Sequence, residues 1–166
     1  TKNNDEKAAL WAIRGYYADE ERAIQEIYKL NPKNQHLDYL LSRLINKQEN
    51  ILDRSFKDQT VIQNKLGIKN RLNKNQIKLV FDIANSNTTA QPYLWNIAAG
   101  YLETLNGNFA QADKNFAQAE DKMPKTSLAI NQLRLLRFVN NLSKIDKINV
   151  ANEKTIVSDL NWLYFE

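Results

Sequence analysis

Between Trp95 and Pro124 the chain sets small residues where two helices in close contact would need them, and this stretch constrains the fold more than any other. Gly100, Ala112 and Ala119 remove side-chain bulk from a pattern that is otherwise helical in its spacing. Pro92 suits the first turn of a helix, where its missing N–H has no partner to lose. Gly107 and Phe109 supply a turn, and Asn108 with Gln111 three residues on reads as a loose capping box for a second helix. Pro124 ends that helix. Two antiparallel helices joined at Gly107 and packed through small residues are the expected result.

The spacing of Gly100, Ala112, Phe116, Ala119 and Pro124 resembles one tetratricopeptide repeat, a helix–turn–helix unit of about 34 residues. The resemblance is clearest over residues 93–126. Trp95 stands one residue earlier than the family pattern, and Glu103 occupies a place where an aromatic is usual. Residues 1–34 read as a degenerate copy, because Gly15, Tyr17 and Pro32 recur as Gly107, Phe109 and Pro124, each displaced by 92 residues. In that copy Gly15 is read as the turn, and Glu20 and Ile24 replace Ala112 and Phe116.

A displacement of 92 residues holds two repeat periods and roughly 24 further residues, so the middle of the chain should carry one more hairpin with an insertion. Its first helix is predicted over 35–54, with Leu37, Leu40, Leu41, Leu44 and Ile45 on one face and Asp38, Arg43, Lys47 and Glu49 elsewhere. Its partner is predicted over 74–86, with Ile77, Val80, Phe81 and Ala84 inward. Val61, Ile62 and Leu66 indicate a short helix ahead of Gly67, and residues 55–73 are read as an excursion from the stack. After Pro124, a helix starting at Thr126 or Ser127 and a last one over about 151–165 complete the chain. The fold class is therefore all-α, a right-handed helical-hairpin solenoid of about four hairpins with an inserted segment near 55–73. Four Gly and three Pro leave little room for a turn-rich β fold. The chain reads as a single domain that opens on Thr1 rather than Met, as part of a longer protein would.

Chemistry is sparse. With no Cys there is no disulfide, thiolate metal site or thiol nucleophile, and the single His36 cannot form a metal cluster. Glu20-Glu21 and Glu120-Asp121 are adjacent on helices, read as solvent-facing, and do not converge on one point. There is no Gly-rich phosphate loop. No catalytic residue, metal or cofactor is assigned. No run approaches the roughly 20 apolar residues of a membrane span.

The resemblance implies a non-enzymatic scaffold, in which the first helix of each unit lines a concave groove for a peptide or partner protein. By that analogy Leu94, Ile97, Tyr101 and Thr104 line the groove in the central unit, and Asn131, Leu135 and Phe138 in the next. The family's carboxylate-clamping subset uses Lys and Asn at positions held here by Ile97, Tyr101, Asp5 and Ala9, so that docking mode is not expected. Two rival readings stand beside it. Lys65, Lys69, Arg71, Lys74 and Lys78, with no acid between Asp58 and Asp82, are candidates for binding nucleic acid or another polyanion, although no aromatic lies among them for a base to stack on. Alternatively, the chain is a helical accessory region of a larger enzyme. At the C-terminus, Trp162 and Phe165 fall off the stripe of Ile156, Leu160, Leu163 and Tyr164; either Trp162 folds back and only Phe165 is left exposed, or the last helix docks a partner or a second copy.

Overall fold

A computed structural model describes residues 3–52 and 60–165, and every regular element among them is a helix. In chain order these are α1 (Asn4–Tyr17), α2 (Glu20–Leu30), α3 (His36–Leu52), α4 (Val61–Arg71), α5 (Lys74–Ser86), α6 (Pro92–Asn106), α7 (Phe109–Lys122), α8 (Ser127–Ser143) and α9 (Val150–Phe165). The punctuation that delimits them is local. Asn3 and Glu6 close a capping box at α1, Thr60 and Gln63 another at α4, and Asp19, Asn73 and Thr126 accept backbone N–H bonds at α2, α5 and α8. Gly107 ends α6 at φ +81°, a left-handed conformation that a side chain would strain.

Neighbours in sequence pack together: α1 on α2, α2 on α3, α5 on α6, α6 on α7, α7 on α8, and more weakly α8 on α9. A second order runs across these pairs. α1 touches α3, α3 touches α6 and α6 touches α8, so these four helices form a row, while α2 touches α5 behind it. The main core fills the space between the two sets, with Ala8, Ala23, Ile24, Ile27, Leu37, Leu40, Leu44, Val80, Ile83, Trp95 and Leu102 all essentially inaccessible. A second cluster of Ala112, Phe116, Met123 and Leu133 joins α7 to α8. Fully burying one large side chain such as Phe116 contributes about 1.5–3 kcal/mol.

The small residues act by close approach. A Cβ built on Gly100 would stand 2.5 Å from Phe116 Cε1, so α6 and α7 can meet only with glycine there. Gly15 does the same elsewhere, and this corrects its assignment as a turn. It lies inside α1, buried, where a Cβ would come within 2.6 Å of Ala23 Cβ. The turn falls instead at Ala18 and Asp19, and α2 and α7 begin 89 rather than 92 residues apart. At that offset Ala23 and Ala112 correspond, and both are fully buried.

Three further expectations change. Of the segment 55–73, residues 55–59 lie outside the described residues; the rest does not leave the other helices. α4 runs through Gly67, packs against α3 and α6, and is tied to the α8–α9 connection by Lys65, whose Nζ donates to Asp146 Oδ1 at 2.7 Å and to Ile145 O at 3.1 Å. α5 packs chiefly on α6 rather than as a tight hairpin partner of α3, because α4 occupies the connection between them. Asn108 makes no side-chain cap bond; its Nδ2 donates to the buried Glu103 Oε2 at 2.6 Å. The carboxylate that replaces an expected aromatic is therefore satisfied within the same turn.

Glu20 is also buried, not solvent-facing. Its oxygens receive Lys47 Nζ at 2.6 Å and Arg43 Nε at 3.3 Å, joining α2 to α3. Burial alone would raise its carboxyl, but the Lys47 hydrogen bond, a backbone bond and the two cations outweigh that and hold it below the ordinary glutamate value.

Candidate partner-binding groove

The row α3, α6 and α8 encloses an open depression of about 370 Å³. α3 contributes Asp38, Leu41, Ser42, Ile45, Asn46 and Glu49, a run whose spacing of three and four keeps one stripe of the helix on this face. α6 contributes Leu94, Ile97, Ala98 and Tyr101, and α8 contributes Gln132 and Leu136. The floor is apolar, with Leu41 and Ala98 buried and Ile45, Leu94, Ile97 and Leu136 partly buried.

Two acids stand near the ends of the α3 stripe. Asp38 accepts Trp95 Nε1 at 3.2 Å and Gln91 Nε2 at 3.1 Å, which fixes the carboxylate against α6. Burial pushes its carboxyl up, and the two donors pull it down only in part. Glu49 lies beside Tyr101; burial first, and then the neighbouring Glu49 carboxylate, push that phenol above its ordinary range.

Of the seven residues assigned to a groove by resemblance, Leu94, Ile97 and Tyr101 line this depression and the other four do not. Thr104 is buried, its Oγ1 3.0 Å from both Gly100 O and Asn140 Oδ1. On α8 the face turned inward carries Gln132 and Leu136. Asn131 is exposed, Leu135 is half-buried outside the depression, and Phe138 is buried toward Met123 and Leu133 on the far side. The α3 contribution was hidden because Asp38 and Glu49 lie off the buried stripe of Leu37, Leu40, Leu41 and Leu44; the spacing from Asp38 through Ile45 to Glu49 is the signal that could have found it.

The basic candidates are divided between two consecutive helices. Lys65, Lys69 and Arg71 belong to α4, while Lys74 and Lys78 belong to α5. Lys65 pairs with Asp146, and Lys78 pairs with Asp82 at 2.7 Å within its own helix. Lys65 and Lys69 border a separate depression of about 280 Å³ with Thr104, Leu105 and Phe109. Between α1 and α3, Tyr16 stacks on Tyr39 with centroids 6.1 Å apart, and Arg43 lies 4.4 Å from the Tyr16 ring centre. Among the described residues no group of three or more His, Asp or Glu could hold a metal ion, and no helix is long and apolar enough to cross a membrane.

The last helix departs from its predicted facing. No residue of α9 is fully buried; Trp162 turns toward α8, where Arg134 lies 4.0 Å from its ring centre, and Tyr164 and Phe165 are 76% and 83% exposed. The arrangement defines an all-helical protein with an open, apolar-floored groove along one row of helices. Compared with family models, with curated proteins and with solved structures, the chain matches none.

Proposed function

We propose that the chain is a non-enzymatic interaction scaffold, a tetratricopeptide-like stack that receives a peptide segment of a partner protein in the α3–α6–α8 groove. The observation that carries this reading is the groove itself: partly buried Ile45, Leu94, Ile97 and Leu136, still reached from solvent, on three helices that share one row. The α1–α3, α3–α6 and α6–α8 contacts are what first helices of successive hairpins would make, and they support the solenoid reading, with α4 taken as the insertion that separates α5 from α3. The groove is held by packed helices, so little ordering cost falls on the protein when a segment docks.

The test is selection of random 16-residue peptides on the folded chain, followed by titration of the enriched peptides against Ser42→Trp. Ser42 is exposed at the groove, and an indole there fills the depression without entering the core. Loss of binding in that variant is expected; peptides that bind Ser42→Trp as well as the parent would remove the groove from the function. Binding that instead falls steeply with salt and follows Lys69 and Lys74 would favour the polyanion reading.

A further inference from the structure

The chain carries a formal charge of +4, yet its groove is acidic, and the reason is where α3, α6 and α8 send their charges. These three helices contain four basic residues: Arg43 and Lys47 on α3, and Arg134 and Arg137 on α8. Arg43 and Lys47 are both drawn to Glu20 on the α2 side. Arg137 pairs with Glu120 at 2.7 Å, and Arg134 lies over Trp162, both on the α7–α9 side. None of the four lines the groove. The two acids of α3, Asp38 and Glu49, both do, and neither forms an ion pair among the described residues. A cation entering the groove therefore meets carboxylates with no cationic partner: Asp38 takes its hydrogen bonds from an indole and an amide, and Glu49 lies beside a phenol.

The acids are also placed. Asp38 and Glu49 are eleven residues apart on one helix face, a separation of about 16 Å along the axis. Between them lie Leu41, Ile45 and, from the facing helices, Ile97 and Leu136. An extended chain covers that distance in about five residues, and a helix in about eleven.

Building on the groove reading above, we infer that the partner segment is basic and amphipathic, with apolar anchors flanked on both sides by lysine or arginine about 16 Å apart, one for Asp38 and one for Glu49. Apolar residues between the cations fill the floor, and the spacing of the carboxylates fixes the register. An acidic segment meets like charge at both ends and is rejected, so the acids set specificity more than they raise affinity.

The same random 16-residue selection decides this, read now for composition. The expected result is a pool whose binding is lost in Ser42→Trp and which is enriched in paired basic residues, five or eleven positions apart, around aliphatic ones. For one such peptide, Glu49→Gln and Asp38→Asn should each weaken binding by about 2- to 5-fold at low salt, as expected for exposed or half-exposed ion pairs. A companion peptide with glutamine at the two basic positions should be indifferent to Glu49→Gln. Because Asp38 anchors Trp95, Glu49→Gln is the cleaner variant, and circular dichroism of both checks that the fold is kept. A groove-dependent pool with no basic enrichment, or with acidic enrichment, overturns the inference and leaves the scaffold reading intact. A pool indifferent to Ser42→Trp overturns both.

Discussion

Gly100→Ala measures directly how the two central helices are held together. A methyl group on Gly100 would lie 2.5 Å from Phe116 Cε1, 2.7 Å from Cδ1 and 3.0 Å from Cζ. The closest of these is about 1 Å short of ordinary carbon–carbon contact. Phe116 is fully buried, so the ring cannot swing into solvent and the helices must part or the side chain must leave its rotamer. Two effects of opposite sign compete. Alanine in a helix interior is favoured over glycine by about 1 kcal/mol. Overpacking a filled core costs about 1–3 kcal/mol. The clash wins, and we expect a net loss of about 1 kcal/mol, which in a chain of this size lowers Tm by about 2–4 °C. The cause is isolated by repeating the substitution in Phe116→Leu, where the ring edge is gone. There Gly100→Ala should become neutral or stabilising by up to about 1 kcal/mol, giving a coupling energy near 2 kcal/mol. Urea unfolding of the four proteins is the assay. Equal effects of Gly100→Ala in both backgrounds, within about 0.5 kcal/mol, would refute the argument that glycine is there to admit Phe116.

The other predictions concern separate parts of the molecule. Ala112→Leu puts a branched side chain into a fully buried position on α7 and should destabilise by about 1–3 kcal/mol; an unchanged melting curve would disprove the helix register assigned around it. Glu20→Gln leaves Arg43 and Lys47 without their shared carboxylate and should cost about 1–2 kcal/mol at neutral pH, less than a fully buried pair because Lys47 is half in water. The folded carboxyl lies below its ordinary value, so its contribution is present above the unfolded value of about 4.3 and is lost as pH falls through the folded one. The gap between the parent and Glu20→Gln should accordingly close in urea titrations taken from pH 7 to pH 3, and a gap that stays constant over that range contradicts the depressed value. Sedimentation from micromolar to millimolar concentration should show weak self-association through α9 that falls in Trp162→Ala/Phe165→Ala. A parent that remains monodisperse and indistinguishable from the variant would exclude that contact.

Helix boundaries were legible in the sequence because their causes are local. Pro92 and Thr126 start helices and Gly107 stops one through hydrogen bonds and dihedral limits that reach only three or four residues. The expected ranges therefore lie within a few residues of α3 and of α5 through α9, whereas the turn between α1 and α2 fell at Ala18 and Asp19 rather than at Gly15. The small residues were legible as contacts too, since Gly100 and Ala112 could serve little else. Identity alone did not separate two uses of glycine: Gly107 is needed for φ +81° and Gly15 for the 2.6 Å approach to Ala23, and only the packing distinguishes them.

What tertiary structure decided was which side of each helix faces what. Rotation of a helix about its axis by one residue, about 100°, exchanges neighbours on the helical wheel without altering any local propensity. That is why Leu136 rather than Leu135 meets the groove, and why Trp162 rather than Tyr164 turns toward α8. The direction of charges is non-local for the same reason. Arg43 and Lys47 lie between Asp38 and Glu49 along α3, and nothing in their spacing tells which pair a distant Glu20 will claim. Once Glu20 is buried it must be paired, because an unpaired buried carboxylate is too costly, and the cations go to it. The groove is left with the acids. The amino-acid order wrote the helices and their caps, and the packing of α2 on α3 gave the groove its charge.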